Sequence, residues 1–363
     1  MTYSGVGVDY EAMDPFKRMA QEKARETSLN LERFGFSEVS KSRGESAYLI
    51  KTPFGYVAHV EEGLGTKNLV ADEIRTFMGR TYYDALAQDT VAMIVNDMIT
   101  LGALPVSLAM HLAVGSSEWF SDERRARDLI DGWKKACILS GAVWGGGETP
   151  TLKGIIGPEA SVLAGSSWGI IQKKKNLIRG NIRHGDAIIL IEGSGIHANG
   201  LTLARKIAEK VTDGYEAILP DRRTYGESLL DPTPIYVPIV HACQLSGIHL
   251  HYAVNITGHG WRKLMRLQKN FAYVIEKVPY PQHVFRFMQK HGNIDDSEAY
   301  GNFNMGAGFA LYVPKEEVET VLVLARSFGF SAFEAGHIEK SKEKKVVILP
   351  KNLVYLGDTL AVR

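Results

Sequence analysis

Strand-like and helix-like hydrophobic patterns alternate in the first part of the chain. Residues 46–60 form two short apolar runs around a Thr-Pro-Phe-Gly turn, which predicts a β-hairpin. Residues 69–79 and 84–102 carry apolar side chains at helical spacing, and Gly102 is a normal helix stop. The other elements predicted in this part are strands over 104–114, 142–145 and 160–171, and a helix over 121–140 with Ser121 as its N-cap.

A basic segment without periodicity, residues 172–176, interrupts these patterns and predicts two domains, 1–171 and 172–363. The second part opens with a strand over 186–191, a glycine turn and a helix over 200–210. Because strands and helices follow in mixed order, we predict an α+β or α/β fold. The elements predicted after residue 210 are helices near 234–245, 260–267, 281–290 and 315–328, and strands near 270–276, 306–313, 333–339 and 345–349.

Composition narrows the class of protein. The 363 residues are 45% hydrophobic and 23% charged, which is ordinary for a globular chain that buries a core. The 42 basic and 41 acidic residues leave a formal charge of +1, so we expect no nucleic-acid partner. Neither a secretory signal nor an apolar run long enough to span a membrane is present, so we expect a cytoplasmic protein without a membrane partner.

The loop 61–67 follows a predicted strand and is the first candidate for anion binding. Gly63 and Gly65 allow backbone N–H groups to turn toward a phosphate, and Lys67 can contact the phosphate as a point charge. Glu62 is a candidate ligand for a divalent cation, and Thr66 lies between these groups. The alternative is a hairpin loop with surface charges.

A set of polar side chains lies on the predicted helix 84–102. Asp89 and Asn96 are seven residues apart and share a face, and Asp97 lies roughly 100° around the helix from them. Their apolar neighbours predict that Asn96 and Asp97 approach the core, where a carboxylate needs a partner such as a metal or a ligand. The alternative is that Asp84 is a helix cap and Asp89 a solvated residue.

Two further glycine-rich turns follow strands. In the first, Gly146 and Gly147 precede Glu148 and Thr149, and consecutive glycines suit a backbone that passes close to a ligand or another strand. Glu148 is then a candidate magnesium or nucleotide contact. The alternative is a flexible loop tip.

The second of these turns, residues 193–200, joins a strand to a helix and therefore suits phosphate binding. It is neither a dinucleotide fingerprint nor a P-loop. His197 within it is a candidate for proton transfer or for polarising a carbonyl, although a lone histidine also occurs as a structural residue.

Taken in order along nearly the whole chain, these motifs resemble the aminoimidazole ribonucleotide synthetase family, the phosphoribosylformylglycinamidine cyclo-ligases. Nine matching segments carry the resemblance, whereas a single one would be weak. They are GVGVDY, EEGLGTK, VAMIVNDMITLGALP, GGGET, GSGIHANGLTLARKI, LLDPTPIYV, NITGHG, NIDDSEAYGNFNMGAG and AGHIEK.

The resemblance implies a two-domain enzyme whose N-terminal halves pair in a homodimer, with the ATP site at or near that contact. The implied cofactors are ATP and Mg²⁺, and the implied substrate is a small ribonucleotide. In this reaction ATP phosphorylates the formyl amide oxygen, an amine attacks the activated carbon, and phosphate leaves as the imidazole ring closes.

The resemblance also assigns roles to residues of this chain. Lys67, His197 and Asp97 are expected in catalysis, and Glu62, Asp97 and Glu148 at the metal. Substrate contacts are expected from Ser194, His197 and Asn199. The residues expected to bind ATP are Gly63, Gly65, Thr66, Lys67, Asp84, Asp89, Asn96, Gly146, Gly147, Glu148 and Thr149.

The chain departs from the family pattern at several positions expected to hold phosphates or substrate. Two alternatives therefore stay open, an ATP-using paralogue that acts on another substrate and a nucleotide-binding paralogue without catalysis. The departures are Glu62 for an aspartate, Gln21 for a lysine, residues 31–38 for a glycine-rich segment, residues 150–154 for an acidic one, Pro234 for an arginine and His259 for a glycine.

Overall fold

A computed structural model describes Gly5 and residues 10–360. The motif GVGVDY begins at Gly5, and its residues 6–9 lie outside the described part of the chain. Within that part, two β-sheets form, one before residue 172 and one after residue 186. The predicted domain boundary falls in the segment that joins them.

The first sheet has six strands, in the spatial order β1-β2-β3-β6-β4-β5. Most neighbouring strands are antiparallel, and β4 and β5 are parallel. The strands are β1 (Ser37–Glu38), β2 (Tyr48–Thr52), β3 (Gly55–Gly63), β4 (Leu104–Val114), β5 (Val143–Glu148) and β6 (Ser161–Ile171). The helices of this part are α1 (Tyr10–Glu26), α2 (Lys67–Met78), α3 (Tyr83–Ile99) and α4 (Glu123–Ser140).

The second sheet has seven strands, in the spatial order β13-β12-β9-β11-β7-β10-β8. Its central strands β7 and β10 are almost continuous apolar runs, as expected for strands covered on both faces. The strands are β7 (Ala187–Glu192), β8 (Tyr252–Asn255), β9 (Phe271–Ile275), β10 (Ala307–Val313), β11 (Ala332–Lys340), β12 (Lys345–Ile348) and β13 (Leu353–Leu356). The helices are α5 (Leu201–Ala208), α6 (Tyr225–Leu229), α7 (Val237–Leu245), α8 (His283–Gly292), α9 (Asp296–Asn302) and α10 (Val318–Ser327).

Helix α3 connects the two halves of the molecule. It packs on β3, β4 and β6 of the first sheet and also contacts α7 and β8 of the second half. Gly132 allows α4 to pack closely beside it, because a Cβ at that position would lie 2.5 Å from the Cα of Asp84. Since nearly every residue of α3 is buried, its polar side chains must find partners inside the protein.

The two faces of the first sheet differ. Along β6, buried and exposed residues alternate, and α3 and α4 cover the buried face. On the other face, Val162 is 47% exposed and Trp168 is 46% exposed. This open sheet face therefore presents apolar side chains to solvent in the single chain.

The predicted mixed α/β class is confirmed, and so are most of the predicted elements. The predicted N-cap of α4 is wrong. Helix α4 begins at Glu123, and its cap is Asp122, whose Oδ1 accepts a hydrogen bond from the N–H of Arg125 at 3.0 Å. Ser121 instead ends a short 3-10 helix, Ser117–Ser121. The segment predicted as a helix near 260–267 is a 3-10 helix, Gly260–Met265.

Several short elements were not predicted, among them α6, α9, β8 and β13. Each has seven residues or fewer, which is too short for a reliable periodic pattern. Among the described residues, no helix combines the length and apolar character needed to cross a bilayer.

Candidate active site between the two sheets

Residues 231–236, here called the interdomain strap, connect α6 to α7 and lie along helix α3. Asp89 accepts hydrogen bonds at Oδ1 from the N–H of Thr233 at 2.9 Å and from its hydroxyl at 2.5 Å. Asn96 donates to the carbonyl of Pro234 at 2.8 Å and accepts from the N–H of Tyr236 at 2.9 Å. Two polar residues on one face of α3 therefore hold the second half of the chain.

Lys67, the first residue of α2, reaches the same strap. Its Nζ lies 2.6 Å from Oδ2 of Asp89 and donates to the carbonyl of Asp231 at 2.8 Å. Both charged side chains are completely buried. The Lys67 and Asp89 predicted to meet ATP are thus brought together, and in this structure they bond to each other and to the strap.

The loop before α2 leaves its glycines open to solvent. Gly63 and Gly65 are exposed, and Gly65 has a φ of 74°, a conformation that favours glycine. Thr66 is the N-cap residue of α2, and its side chain makes no capping hydrogen bond. The predicted anion-binding loop is therefore accessible at its glycines, whereas its lysine points into the protein.

His197 lies in the turn between β7 and α5 and is almost completely enclosed. The N–H of Ser194 donates to its Nε2 at 3.2 Å, so Nε2 is the unprotonated nitrogen and Nδ1 carries the hydrogen. Burial, aided by the nearby charge of Lys67, lowers the pKa of His197 to about 3. The imidazole is therefore neutral at physiological pH, and it lies beside Lys67.

Close packing around His197 requires glycine at two positions, one in the turn just after β7 and one on β10. A Cβ at Gly193 would lie 2.7 Å from Nε2, and one at Gly308 would lie 2.8 Å from Cε1. The hydroxyl of Ser194 donates to the carbonyl of Pro232 in the strap at 2.7 Å. Asn199, at the end of the turn, is partly buried.

A second polar cluster lies where β3 meets the last turn of α3. Glu62 and Asp97 line a cavity of about 210 Å³. The rest of its lining is Glu45 and Ser46 from the first half of the chain and His259, Lys263 and Arg266 from the second. Asn255 of β8 donates to Oδ1 of Asp97 at 2.7 Å. We call this space the carboxylate cavity.

Burial and neighbouring charges shift the pKa values of three side chains in the carboxylate cavity. Burial, together with the charge of Asp97, raises the pKa of Glu62 to about 7. Burial lowers the pKa of Lys263 to about 8, although Asp97 and Glu62 act in the opposite direction. Burial and the neighbouring cations Lys263, Arg262 and Lys17 lower the pKa of His259 to about 3. At neutral pH the imidazole of His259 is therefore neutral, and the carboxylates face a cation.

Glu148 does not join the other two residues predicted to bind metal. Across the first sheet, Glu148 pairs with His111, His111 with Ala164, and Ala164 with Gly63. Residues paired in this way share a face, and Glu62 precedes Gly63, so Glu148 and Glu62 lie on opposite faces of the sheet. The structure brings together Glu62 and Asp97 and leaves Glu148 on the open sheet face.

The glycine segment before Glu148 forms β5 at the edge of the sheet. A Cβ at Gly147 would lie 2.2 Å from the carbonyl oxygen of Met110, so this glycine permits close strand pairing. Gly146 has a φ of 151° and open space around it. Together with Glu148 and Thr149, these glycines line a shallow cavity of about 440 Å³.

Asp84 lies at the opposite end of α3 from Asp97, which places the two roughly 20 Å apart along the helix. Its carboxylate is half-exposed and pairs with Arg80 at 3.0 Å. It borders a separate cavity of about 360 Å³ that also includes Lys135 and Arg223. Within one chain, the residues predicted to bind ATP therefore do not form a single cluster: they lie at the interdomain strap, on the open sheet face and at the cavity beside Asp84.

Sequence reasoning missed several residues of the site, namely Thr233, Asn255, Lys263 and Arg266. Lys263 and Arg266 are three residues apart, the spacing at which side chains of a 3-10 helix share a face. This spacing of two basic residues, close to the NITGHG motif, could have indicated from the sequence that both side chains face the site. No sequence signal pointed to Asn255, which depends on how β8 pairs with β10.

Three of the departures from the family pattern can be located in the structure. His259 has a φ of 68°, a conformation that costs energy for a residue other than glycine. Pro234 lies in the strap, where its carbonyl accepts the hydrogen bond from Asn96. Gln21 of α1 borders a cavity formed with residues 42–48 and 59–61.

Two domain families match this chain. The AIR synthase related protein N-terminal domain matches residues 44–170, and the corresponding C-terminal domain matches residues 183–349. Together the two matches cover most of the chain. The chain belongs to the AIR synthase related family. The resemblance found in the motifs is thereby confirmed.

Curated relatives support the same assignment. The phosphoribosylformylglycinamidine cyclo-ligase of Methanococcus maripaludis strain C6 is 33% identical over 345 residues, which cover 94% of this chain and 93% of the relative. The protein of the same name from Methanocaldococcus jannaschii is 33% identical over 350 residues, with the same coverage. These relatives are named for a ligase activity, and the expectation that this chain is an enzyme is confirmed.

Solved structures share the fold at low sequence identity. The protein AaThiL, complexed with AMPPCP and TMP, has a TM-score of 0.57 at 16% identity and covers 85% of this chain and 89% of its own. The HypE–HypF complex has a TM-score of 0.58 at 17% identity, covering 86% and 92%. The protein tt0281 from Thermus thermophilus has a TM-score of 0.54 at 17% identity, covering 85% and 90%. These likenesses show the fold.

Proposed function

We propose that this chain is an ATP- and magnesium-dependent phosphoribosylformylglycinamidine cyclo-ligase. It would convert formylglycinamidine ribonucleotide to aminoimidazole ribonucleotide in purine biosynthesis, in the cytoplasm. The observation that carries the proposal is the 33% identity to relatives named for this activity, extending over 94% of the chain. Magnesium would enter as the counter-ion of the ATP phosphates.

The chemistry needs an activated amide. An amide oxygen is a poor leaving group, so transfer of the γ-phosphoryl group of ATP to that oxygen releases ADP and creates a good one. The amine nitrogen of the substrate then attacks the same carbon, loses a proton, and phosphate departs as the ring closes. Holding the amine and the activated carbon together makes the closure effectively unimolecular.

The residues around the interdomain strap support this proposal by their charges. Transfer of a phosphoryl group builds negative charge that preorganised cations and N–H donors can offset. Lys67 lies beside the neutral His197, which belongs to the turn 193–200 that precedes helix α5. We assign Lys67 and His197 to the support of the transferred phosphoryl group, and Asp97 to the substrate side of the carboxylate cavity.

The enclosed space between the two halves of the chain supports the same reaction. An imidate phosphate would be lost to water in an open site, so the two halves of the chain must close around it. The strap joins the halves through Asp89 and Asn96, and the carboxylate cavity is lined by residues from both. We further propose a homodimer built on the open sheet face, where Glu148 and the exposed Trp168 lie.

A second candidate is an ATP-using enzyme of the same family with another substrate. The observation in its favour is His259, a bulky residue held at positive φ in the wall of the carboxylate cavity. Backbone strain of this kind persists where surrounding structure enforces it, and it is concentrated at functional sites. An altered cavity wall would change which substrate fits.

The deciding experiment measures ADP release from ATP and magnesium with and without formylglycinamidine ribonucleotide, while following the imidazole product in the same tube. ADP release that depends on this substrate and matches the product one to one supports the cyclo-ligase. ADP release with other amide or acid acceptors alone favours the second candidate. Tight ATP binding without ADP release under any condition would favour a non-catalytic paralogue.

A further inference from the structure

The proposed function does not say what balances the negative charges of Glu62 and Asp97 in the carboxylate cavity. Glu62 from β3 and Asp97 from α3 enter the same small space, and two carboxylates there repel each other. Asn255 satisfies only one oxygen of Asp97, and as an amide it adds no charge. A proton or a cation must therefore balance the pair.

The family resemblance would place magnesium there, and the residues present do not fit that ion. Magnesium is usually held by one or two carboxylates and several waters, so the number of carboxylates alone does not exclude it, but two protein cations line the same cavity and repel a divalent ion. In the described part of the chain, no three histidine, cysteine or acidic side chains are grouped to hold a metal. The third expected ligand, Glu148, lies on the opposite face of the sheet.

Two protein cations line the cavity instead. Arg266 is already paired within the cavity, because its Nε lies 3.7 Å from the carboxylate of Glu45, which also lines it, and its other nitrogens donate to Ser46 and Gly44. Lys263 by contrast donates to a neutral hydroxyl, that of Thr257. The charge of Lys263 is therefore the one available to balance Glu62 and Asp97.

We propose that Lys263 is the resident counter-ion of Glu62 and Asp97 and that it keeps divalent cations out of the carboxylate cavity while the protein is free of nucleotide. This inference goes beyond the proposed function, which needs magnesium only as the partner of ATP. It makes Lys263 a positioning residue, which acts on the two carboxylates through its charge in the place of a metal.

The test uses Mn²⁺ as a paramagnetic probe of divalent-cation binding to the nucleotide-free, full-length protein, followed by electron paramagnetic resonance. Removing the ammonium with Lys263→Met should tighten Mn²⁺ binding at least tenfold. Adding Glu62→Gln to that variant should abolish the gain. Lys263→Arg, which keeps the charge, should bind Mn²⁺ as weakly as the unchanged protein does. Lys290→Met, at an exposed lysine on α8, is the matched control and should have no effect.

Two results would overturn the proposal. One is tight stoichiometric Mn²⁺ binding by the unchanged protein that Asp97→Asn removes, which would mean that Lys263 excludes nothing. The other is a folded Lys263→Met variant with no gain in affinity. The first comparison needs no Lys263 variant, so it decides even if Lys263→Met does not fold. Because neither ATP nor turnover enters the measurement, its outcome is independent of the cyclo-ligase assay.

Discussion

Nζ of Lys67 lies 2.6 Å from Oδ2 of Asp89, and neither side chain exposes any surface to solvent. The two residues come from consecutive helices, and each also bonds to the interdomain strap, Lys67 through the carbonyl of Asp231 and Asp89 through Thr233. A buried ion pair is expensive to desolvate and is costly to break by removing one partner. The contact between the first half of the chain and the interdomain strap of the second half therefore depends on this buried ion pair.

Replacing Asp89 by asparagine should destabilise the protein by about 3–5 kcal/mol, because the charge of Lys67 would remain buried without its partner. Equilibrium unfolding in urea measures this change. The matched control is Asp84→Asn on the same helix, where the half-exposed pair with Arg80 should contribute only about 0–1 kcal/mol. Equal losses in the two variants would show that the Lys67–Asp89 pair carries no special weight.

Most of the secondary structure was predictable because long elements repeat their pattern. Strand β4 was predicted at its observed bounds, Leu104–Val114, and α3 was predicted to within a few residues. Both Ser121 and Asp122 can cap a helix, so the residue types alone did not decide between them. The backbone geometry makes Asp122 the N-cap of α4. The fold class followed from the mixed order of elements.

The candidate site was predictable only in part, because motifs give residue types and not their partners. Asp89 and Asn96 were correctly expected on one helical face, and Asn96 and Asp97 were correctly expected to approach the core. Asp89 is buried as well, so the alternative of a solvated Asp89 is wrong. Their partners in the strap lie more than 130 positions away in sequence, so no local pattern could reveal them. The separation of Glu148 from Glu62 required the strand register, which a one-residue shift would have reversed.

Asn96→Ala should loosen the interdomain strap locally. The substitution removes the donor to the partly buried carbonyl of Pro234 and the acceptor of the buried Tyr236 N–H, so each loses a bond worth about 1 kcal/mol. Hydrogen exchange at the amide of Tyr236 should become about tenfold faster. The control is Gln88→Ala, which removes a bond to the carbonyl of Thr233 and leaves the acceptor of Tyr236 in place. Unchanged exchange in Asn96→Ala would rule out the proposed role of Asn96.

The buried imidazole of His197 should make stability depend on pH. Its pKa is about 3 in the folded protein and roughly 6.5 when unfolded, so below pH 6.5 the unfolded state binds a proton that the folded state does not. Its contribution to stability is therefore complete above that pH and is lost as the pH falls, by about 1.4 kcal/mol per pH unit between roughly pH 6 and pH 4.

His197→Asn tests this dependence, because asparagine does not titrate and tolerates the φ of 61° at this position. The slope of unfolding free energy against pH should be smaller in the variant by that amount. Part of the slope should remain in the variant, since the pKa of His259 is also lowered to about 3. Identical slopes for the two proteins would mean that His197 is protonated equally in the folded and unfolded states.

The open sheet face predicts which substitution would separate the proposed homodimer. Trp168 on β6 is 46% exposed in the single chain, and a two-fold interface would place it against the same surface of its partner. Trp168→Glu introduces a charge on each side of that contact, so it should convert a dimer to a monomer of 40.1 kDa in light scattering coupled to size exclusion. Leu245→Glu, at a 74% exposed residue at the end of α7, should leave the dimer intact. A dimer that survives Trp168→Glu would place the interface on another surface, and a monomeric unchanged protein would remove the homodimer from the proposal.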